Sequence, residues 1–214
     1  MEALLRVRSD ARVLVVSTGA VYEGGHGVVT EQSSIRATNP YVVSKLTQEQ
    51  LGHYYGERGL DVIIARPFNH IGPGQQRGFL VSDAASQIAC AEHEGGGKLH
   101  LGNLQTTRDF TDVRDVAMAY LKLITSGRGR ETYNVCSGVS RSGREIIDAL
   151  LKLTDVPLEL SEDDVLRRPI ETFDIRADNT KLRADTGWTP AIPLNVTLAD
   201  TLDYWRTQLK PTSR

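Results

Sequence analysis

The sequence predicts an α/β fold: part of a doubly wound parallel sheet, with a smaller C-terminal lobe. Three observations predict it. Arg12–Val16, Asp61–Ala65 and Thr132–Cys136 are short, largely apolar runs, the pattern of strands buried on both faces of a parallel sheet. A helical stretch lies between the first two, and strand–helix–strand is the right-handed crossover unit of such sheets. The first two runs end in Ser17-Thr18-Gly19-Ala20 and in Arg66-Pro67-Phe68-Asn69-His70-Ile71-Gly72-Pro73-Gly74. Hydroxyl, proline and glycine residues thus gather at the carboxyl ends of strands, where open α/β sheets bind ligands.

The elements follow in order. Leu4 and Leu5, set among the charges of Met1–Asp10, suit the end of an amphipathic helix. After the first strand a polar, glycine-rich loop leads to Asn39 and Pro40, an N-cap and a first helical residue. The helix they open runs to about Arg58, with Gly59 as its stop. Beyond the second strand, Pro67 to Gly74 predict an irregular loop. Ala84, Ala85, Ile88 and Ala89 give helical spacing to Ser82–Glu92, and Leu99–Leu101 is a short strand. Asp112 caps a helix, with Asp115 placed to reach back to the cap. That helix carries Val116, Ala119, Tyr120 and Leu123 on one side and stops before Gly127. Ser142 and Glu145 form a capping box for a helix to about Leu153. Val165–Arg176 is polar, a short helix after Asn179 stops at Gly187, and an amphipathic helix covers about Val196–Leu209. The expected division is a sheet part, 1–74 with 107–138, and a lobe, 75–106 with 139–214.

Composition bounds the partners. The chain has 214 residues, 40% hydrophobic and 24% charged, with a net charge of −2. That balance is ordinary for a globular protein and argues against nucleic acid or an anionic membrane as partner. Cys90 and Cys136 are too few for a disulfide framework, so a reducing cytoplasm is expected. No apolar run approaches the ~18 residues needed to span a bilayer. The five histidines show no metal-ligand spacing, and no metal site is expected. Asp112 and Asp115 look like paired carboxylates, but helix capping explains them better. Trp188 reads as a packing anchor, and His70 as a hydrogen-bonding loop residue.

The chemistry-bearing stretch is Tyr41-Val42-Val43-Ser44-Lys45. Tyr41 and Lys45 are one helical turn apart on the same face. A phenol ordinarily titrates near ~10, and an ammonium within about 4–6 Å favours its ionised form. The pair therefore offers a tyrosine that can exchange protons near neutral pH. The crossover brings it to the strand edge that carries Ser17 and Thr18. A hydroxyl and an activated phenol sharing one substrate oxygen suit proton transfer at an alcohol or ketone, with a cofactor handling hydride.

Taken together, Ser17 to Tyr22, Asn39 to Lys45, Arg66 to Gly74, Arg108-Asp109-Phe110-Thr111-Asp112-Val113-Arg114-Asp115-Val116, Arg168-Pro169 and Lys181 to Pro190 resemble the extended short-chain dehydrogenase/reductase family. That family comprises nucleotide-sugar epimerases, dehydratases and reductases. The resemblance implies a Rossmann-like sheet, NAD or NADP as cofactor, and a nucleotide sugar as substrate. It implies Tyr41 as acid/base, Lys45 as the residue that tunes it and holds the nicotinamide ribose, and Thr18 as the catalytic hydroxyl. Ser17, Arg66, Pro67 and Phe68 would contact the cofactor. Asn69, Arg108 and Arg168 would hold the sugar diphosphate, where guanidinium pairs well with phosphate oxygens. Glu171 would hold the ribose of a GDP-sugar.

Dehydratases of this family carry an acidic pair after the catalytic threonine; Gly19 and Ala20 stand there. Dehydration is thereby disfavoured, and Gly102-Asn103-Leu104 leading into Arg108–Asp112 looks most like the GDP-mannose side of the family, which implies reduction of a 4-keto sugar such as GDP-4-dehydro-6-deoxy-D-mannose. Epimerisation is an alternative, as is a non-catalytic nucleotide-sugar-binding protein. A homodimer is a further expectation. Glu23 stands where the family usually has glycine. No G-x-G-x-x-G or G-x-x-G-x-x-G occurs, and Gly24-Gly25-His26-Gly27 follows the wrong strand to replace it. The resemblance begins partway into the family's pattern, so a fragment, a misplaced start or a chain completed by a partner is expected.

Overall fold

The computed structural model describes residues 1–8, 10–23, 27–162 and 176–208. The chain runs α1 (Glu2–Arg6), β1 (Arg12–Val16), β2 (Val28–Val29), α2 (Pro40–Glu57), β3 (Asp61–Pro67) and β4 (Asn69–Ile71). Next come α3 (Leu80–Glu94), β5 (Gly97–Leu101), β6 (Thr107–Asp112), α4 (Val113–Ser126), β7 (Thr132–Val135) and β8 (Ser140–Ser142). Last are α5 (Gly143–Leu151), β9 (Leu158–Glu162), β10 (Arg176–Ala177), α6 (Thr180–Thr186) and α7 (Leu194–Gln208). Among the described residues no helix is long and apolar enough to cross a membrane.

β1, β3 and β7 form a parallel sheet in that order. β1 pairs with β3 from Arg12↔Asp61 to Val16↔Ala65, and the Arg12 guanidinium bonds the Asp61 carboxylate at 2.7 Å. Side chains alternate between the two faces. Val15, Val62 and Ile64 meet α2, where a Cβ at Gly52 would lie 3.3 Å from Val15. Leu14, Ile63 and Ala65 pack with Val116, Ala119 and Leu123 of α4. One helix on each face is the doubly wound arrangement the sequence predicts.

A second core joins α3, α5 and α7, built on residues such as Ile88, Ile147, Leu150 and Leu198. β5 pairs in parallel with β9 at its side. β6 pairs in parallel with β4 and antiparallel with β8. The expected irregular loop after Pro67 is thus corrected: the chain resumes a strand at Asn69, because Phe110–Asp112 supplies the backbone partners. Within the segment expected in the lobe, Leu182 and Trp188 pack into the sheet's core, and Ala177 lies against β2.

The capping box at Ser142 and Glu145 is present, with each side chain bonded to the other's backbone N–H. The one expected at Asp112 is half present. Asp112 accepts from the Arg114 N–H, but the Asp115 carboxylate accepts from the Ala191 and Ile192 N–H groups at 3.0 and 2.9 Å. Two backbone donors from a distant loop displace the local cap. Trp188 is an anchor, 4% exposed, with its indole N–H donating to the Asp115 carbonyl.

Candidate active site

The site is built where β1 ends and α2 begins. Asn39 caps α2, its side chain accepting from the Val42 N–H at 3.0 Å, and Pro40 takes the first helical position. This fixes the helix start, so Tyr41 and Lys45 fall in its first two turns. Lys45 Nζ donates to the Val16 carbonyl at 3.1 Å and lies 5.8 Å from the centroid of the Tyr41 ring. Tyr41 is 54% exposed, so its phenol is open to a ligand. Two residues after Val16, Thr18 opens a 3-10 turn over Gly19–Val21, its hydroxyl accepting from the Ala20 N–H. Ser17 is buried, and its hydroxyl has no hydrogen-bond partner among the described residues.

Phe68 follows β3 and stacks on Tyr22 with ring centroids 6.1 Å apart. Gly19 lies against it: a Cβ there would stand 2.8 Å from the Phe68 ring. No side chain fits at position 19 unless that ring moves. Pro67 ends β3 opposite Val135, Asn69 is exposed, and His70 bonds the Phe68 carbonyl through Nδ1 at 3.2 Å. Arg108 is half-buried on β6, bonded to the Thr107 carbonyl. Arg168 and Glu171 lie outside the described residues.

Arg66 departs from its expected place at the cofactor. Its side chain turns into the core, where Nε and Nη2 fork onto the Glu49 carboxylate at 2.9 and 2.7 Å. Nη1 donates to the Tyr22 hydroxyl at 3.0 Å, and that hydroxyl donates to Asn134 Oδ1 at 2.6 Å. Burial opposes the Arg66 charge, but the Glu49 bonds and Tyr22 outweigh it and hold the guanidinium protonated above its ordinary range. Burial likewise pushes the Tyr22 phenol up to about 12. Glu49 was not singled out in the sequence, although it recurs four residues after Lys45 and seven after Val42, on the inward face. A carboxylate at that inward position was the available signal.

Two further titratable groups, one buried and one half-buried, have no role of their own assigned from the sequence. Asp109 is 1% exposed and accepts from the Ser137 and Gly138 N–H groups, both at 2.7 Å; burial raises its carboxyl above the ordinary range. Tyr120 of α4 is pushed up to about 12, chiefly by burial and further by the Tyr41 phenol.

The arrangement offers an exposed phenol beside an anchored ammonium, a threonine hydroxyl at the adjacent strand end, and an aromatic floor. A nicotinamide's polar edge fits here chemically, because the buried Ser17 hydroxyl lacks a partner. Among the described residues no cluster of metal-ligating side chains is found.

The model of the NAD dependent epimerase/dehydratase family matches residues 1–136. GDP-6-deoxy-D-mannose reductase of Pseudomonas aeruginosa is 40% identical over 215 residues, covering 98% of this chain and 71% of that protein. GDP-6-deoxy-D-talose 4-dehydrogenase of Aggregatibacter actinomycetemcomitans is 29% identical over 172 residues, covering 79% of this chain and 56% of that protein. The structure of RMD from Pseudomonas aeruginosa complexed with NADPH superposes with a TM-score of 0.89 at 36% identity, covering 97% of this chain and 71% of that one. The chain thus spans only part of the length of the relatives it matches.

Proposed function

The chain belongs to the NAD-dependent epimerase/dehydratase family, and on that premise we propose that it carries the catalytic centre of a nucleotide-sugar oxidoreductase. Its reaction is reduction of a 4-keto sugar such as GDP-4-dehydro-6-deoxy-D-mannose. The observation that carries the proposal is the bond from Lys45 to the Val16 carbonyl. It draws the face of α2 that bears Tyr41 to the strand end that bears Ser17 and Thr18.

Tyr41 delivers a proton to the oxygen of the sugar's 4-keto group as that carbon is reduced. Lys45, tethered to the Val16 carbonyl, holds the ribose of the cofactor. Thr18 donates a hydrogen bond to the same oxygen and fixes its direction. Nicotinamide, when bound, supplies the hydride. Ser17, Pro67 and Phe68 flank it, while Arg66 contributes from behind the site. Asn69, Arg108 and Arg168 bind the diphosphate, and Glu171 the ribose.

Reduction is favoured over dehydration because Gly19 and Ala20 stand where a dehydratase carries its acids, and a side chain at position 19 would have to displace the Phe68 ring. A GDP-sugar is favoured because both curated relatives described above are named for GDP-sugars. We assign a homodimer to the outer face of α2, where Val43, Leu51 and Tyr54 are exposed. Both cysteines are free thiols, which suits a reducing cytoplasm.

The experiment supplies a strand–glycine turn–helix segment at the β1 edge and follows nicotinamide absorbance with GDP-4-dehydro-6-deoxy-D-mannose, alongside UDP- and dTDP-linked 4-keto sugars. Oxidation of NAD(P)H with the GDP-sugar that disappears in Tyr41→Phe is the expected result. Equal turnover by parent and variant on every sugar would remove the proposal.

A further inference from the structure

We propose that Glu49 and Arg66 are positioning residues, whose buried ion pair sets α2 in register with the strand ends and so fixes how Tyr41 and Lys45 meet Thr18. The inference rests on the reading of those three residues given above.

Helix register is ordinarily set by interlocking side chains. The buried residues of α2 are Val42, Glu49, Gly52 and Gly56. Two of the four have no side chain, and Gly52 lets the helix lie close on Val15 and Val62. Val42 and Lys45 hold the first two turns, but beyond them the two glycines interlock little with the sheet. Glu49 supplies the direction the glycines cannot. It is 1% exposed and Arg66 is 6% exposed, and the two-pronged contact fixes orientation as well as distance. Glu49 follows Lys45 by one turn and Tyr41 by two, so a displacement at the pair is carried rigidly to both.

The same guanidinium reaches the other half of the site. Tyr22, which accepts from Arg66 Nη1, directly follows the 3-10 turn that Thr18 opens. Tyr22 is held in turn by Asn134 of β7 and by stacking on Phe68. One side chain of β3 therefore ties the Tyr41 helix to the Thr18 turn. A buried ion pair is a weak source of stability compared with apolar residues of similar volume, and its best use is to specify one arrangement. Bulk packing between α2 and β3 could be had without it.

The test uses the full chain with isotope-labelled tyrosine rings and threonine methyl groups. Nuclear magnetic resonance reads Tyr41 and Thr18, amide exchange reads Ala20 to Tyr22, and urea denaturation is recorded in parallel. The variants are Arg66→Lys, Glu49→Gln and the neutral double Glu49→Gln/Arg66→Met, with Ile147→Val in the distant lobe as control. The double variant should recover a denaturation midpoint near the parent's. Its Tyr41 and Thr18 signals should stay displaced, and its Ala20–Tyr22 amides should exchange on the order of ten-fold faster. Arg66→Lys should keep the charge and still displace the signals, because it loses the fork. Parent-like Tyr41 and Thr18 signals in Arg66→Lys or in the double variant, or shifts no larger than those of Ile147→Val, would overturn the proposal. If Glu49→Gln does not fold, the other two variants decide. The spectra do not depend on turnover, so this result stands apart from whether Tyr41 is the acid/base.

Discussion

The Lys45 ammonium reaches from the second turn of α2 to the Val16 carbonyl at 3.1 Å, so it is both a charge and a tether. Lys45→Met is expected to lower the rate of 4-keto reduction without unfolding the chain. Tyr41→Phe keeps the ring but removes the proton; a loss of ~10²–10⁴ in kcat is expected for a positioned acid, with a denaturation midpoint close to the parent's. Thr18→Val keeps the volume and loses one hydrogen bond to the reacting oxygen. Gly19→Ala forces the Phe68 ring to move. It should cost about 1–3 kcal/mol of stability, as overpacking does, and raise KM for NADPH; unchanged denaturation and KM would show that the ring yields freely. Tyr22 gives a pH dependence of stability. Its phenol is raised by burial to about 12 in the folded chain, against ~10 when unfolded. Below the unfolded value the phenol is neutral in both states and its contribution is complete. As pH rises from ~10 toward ~12 the unfolded state ionises first and stability falls. Thermal melting across that range should show a steeper decline in the parent than in Tyr22→Phe.

At the level of elements, local signals were legible and distant ones were not. β1, the start of β3 and β7 carry apolar runs, and α2 and the caps at Asn39 and Ser142 rest on residues within one turn of each other, so these were read from the sequence. β4 and β8 have three residues each and β6 is mostly polar, so none carries the apolar run that marks the main sheet. Asp115 shows the same competition on one residue. Its position satisfies a capping pattern, yet the loop at Ala191 and Ile192 takes the carboxylate. Asp115→Ala should therefore loosen the segment leading into α7 rather than the start of α4. It leaves two N–H donors unpaired, a loss of about 1–3 kcal/mol. Amide exchange should quicken at Ala191 and Ile192, and exchange confined to the first turn of α4 would contradict the assignment. In the site, the placing of Tyr41 and Lys45 on one face of α2 was legible because it is local to one helix. The inward turn of Arg66 was not, because Glu49 and Tyr22 meet it only in the fold.

At the scale of the whole molecule, the sheet ends on β1 among the described residues. That strand pairs on one side with β3, and its five residues, four of them apolar, are all partly exposed. Met118, Leu121 and Ile124 of α4 are exposed as well. An unpaired apolar edge invites a further strand. The sequence holds no glycine-rich turn to receive a dinucleotide pyrophosphate at a helix start. The chain by itself is therefore expected to bind NAD(H) or NADP(H) weakly in calorimetry, with affinity rising when a strand–glycine turn–helix segment is supplied at this edge. Micromolar binding by the chain alone would point to another pyrophosphate site. The most direct test of the central claim joins such a segment to the chain and follows nicotinamide absorbance with GDP-4-dehydro-6-deoxy-D-mannose. The account predicts NADPH oxidation by the parent and a fall of ~10²–10⁴ in Tyr41→Phe; equal rates in the two would contradict it.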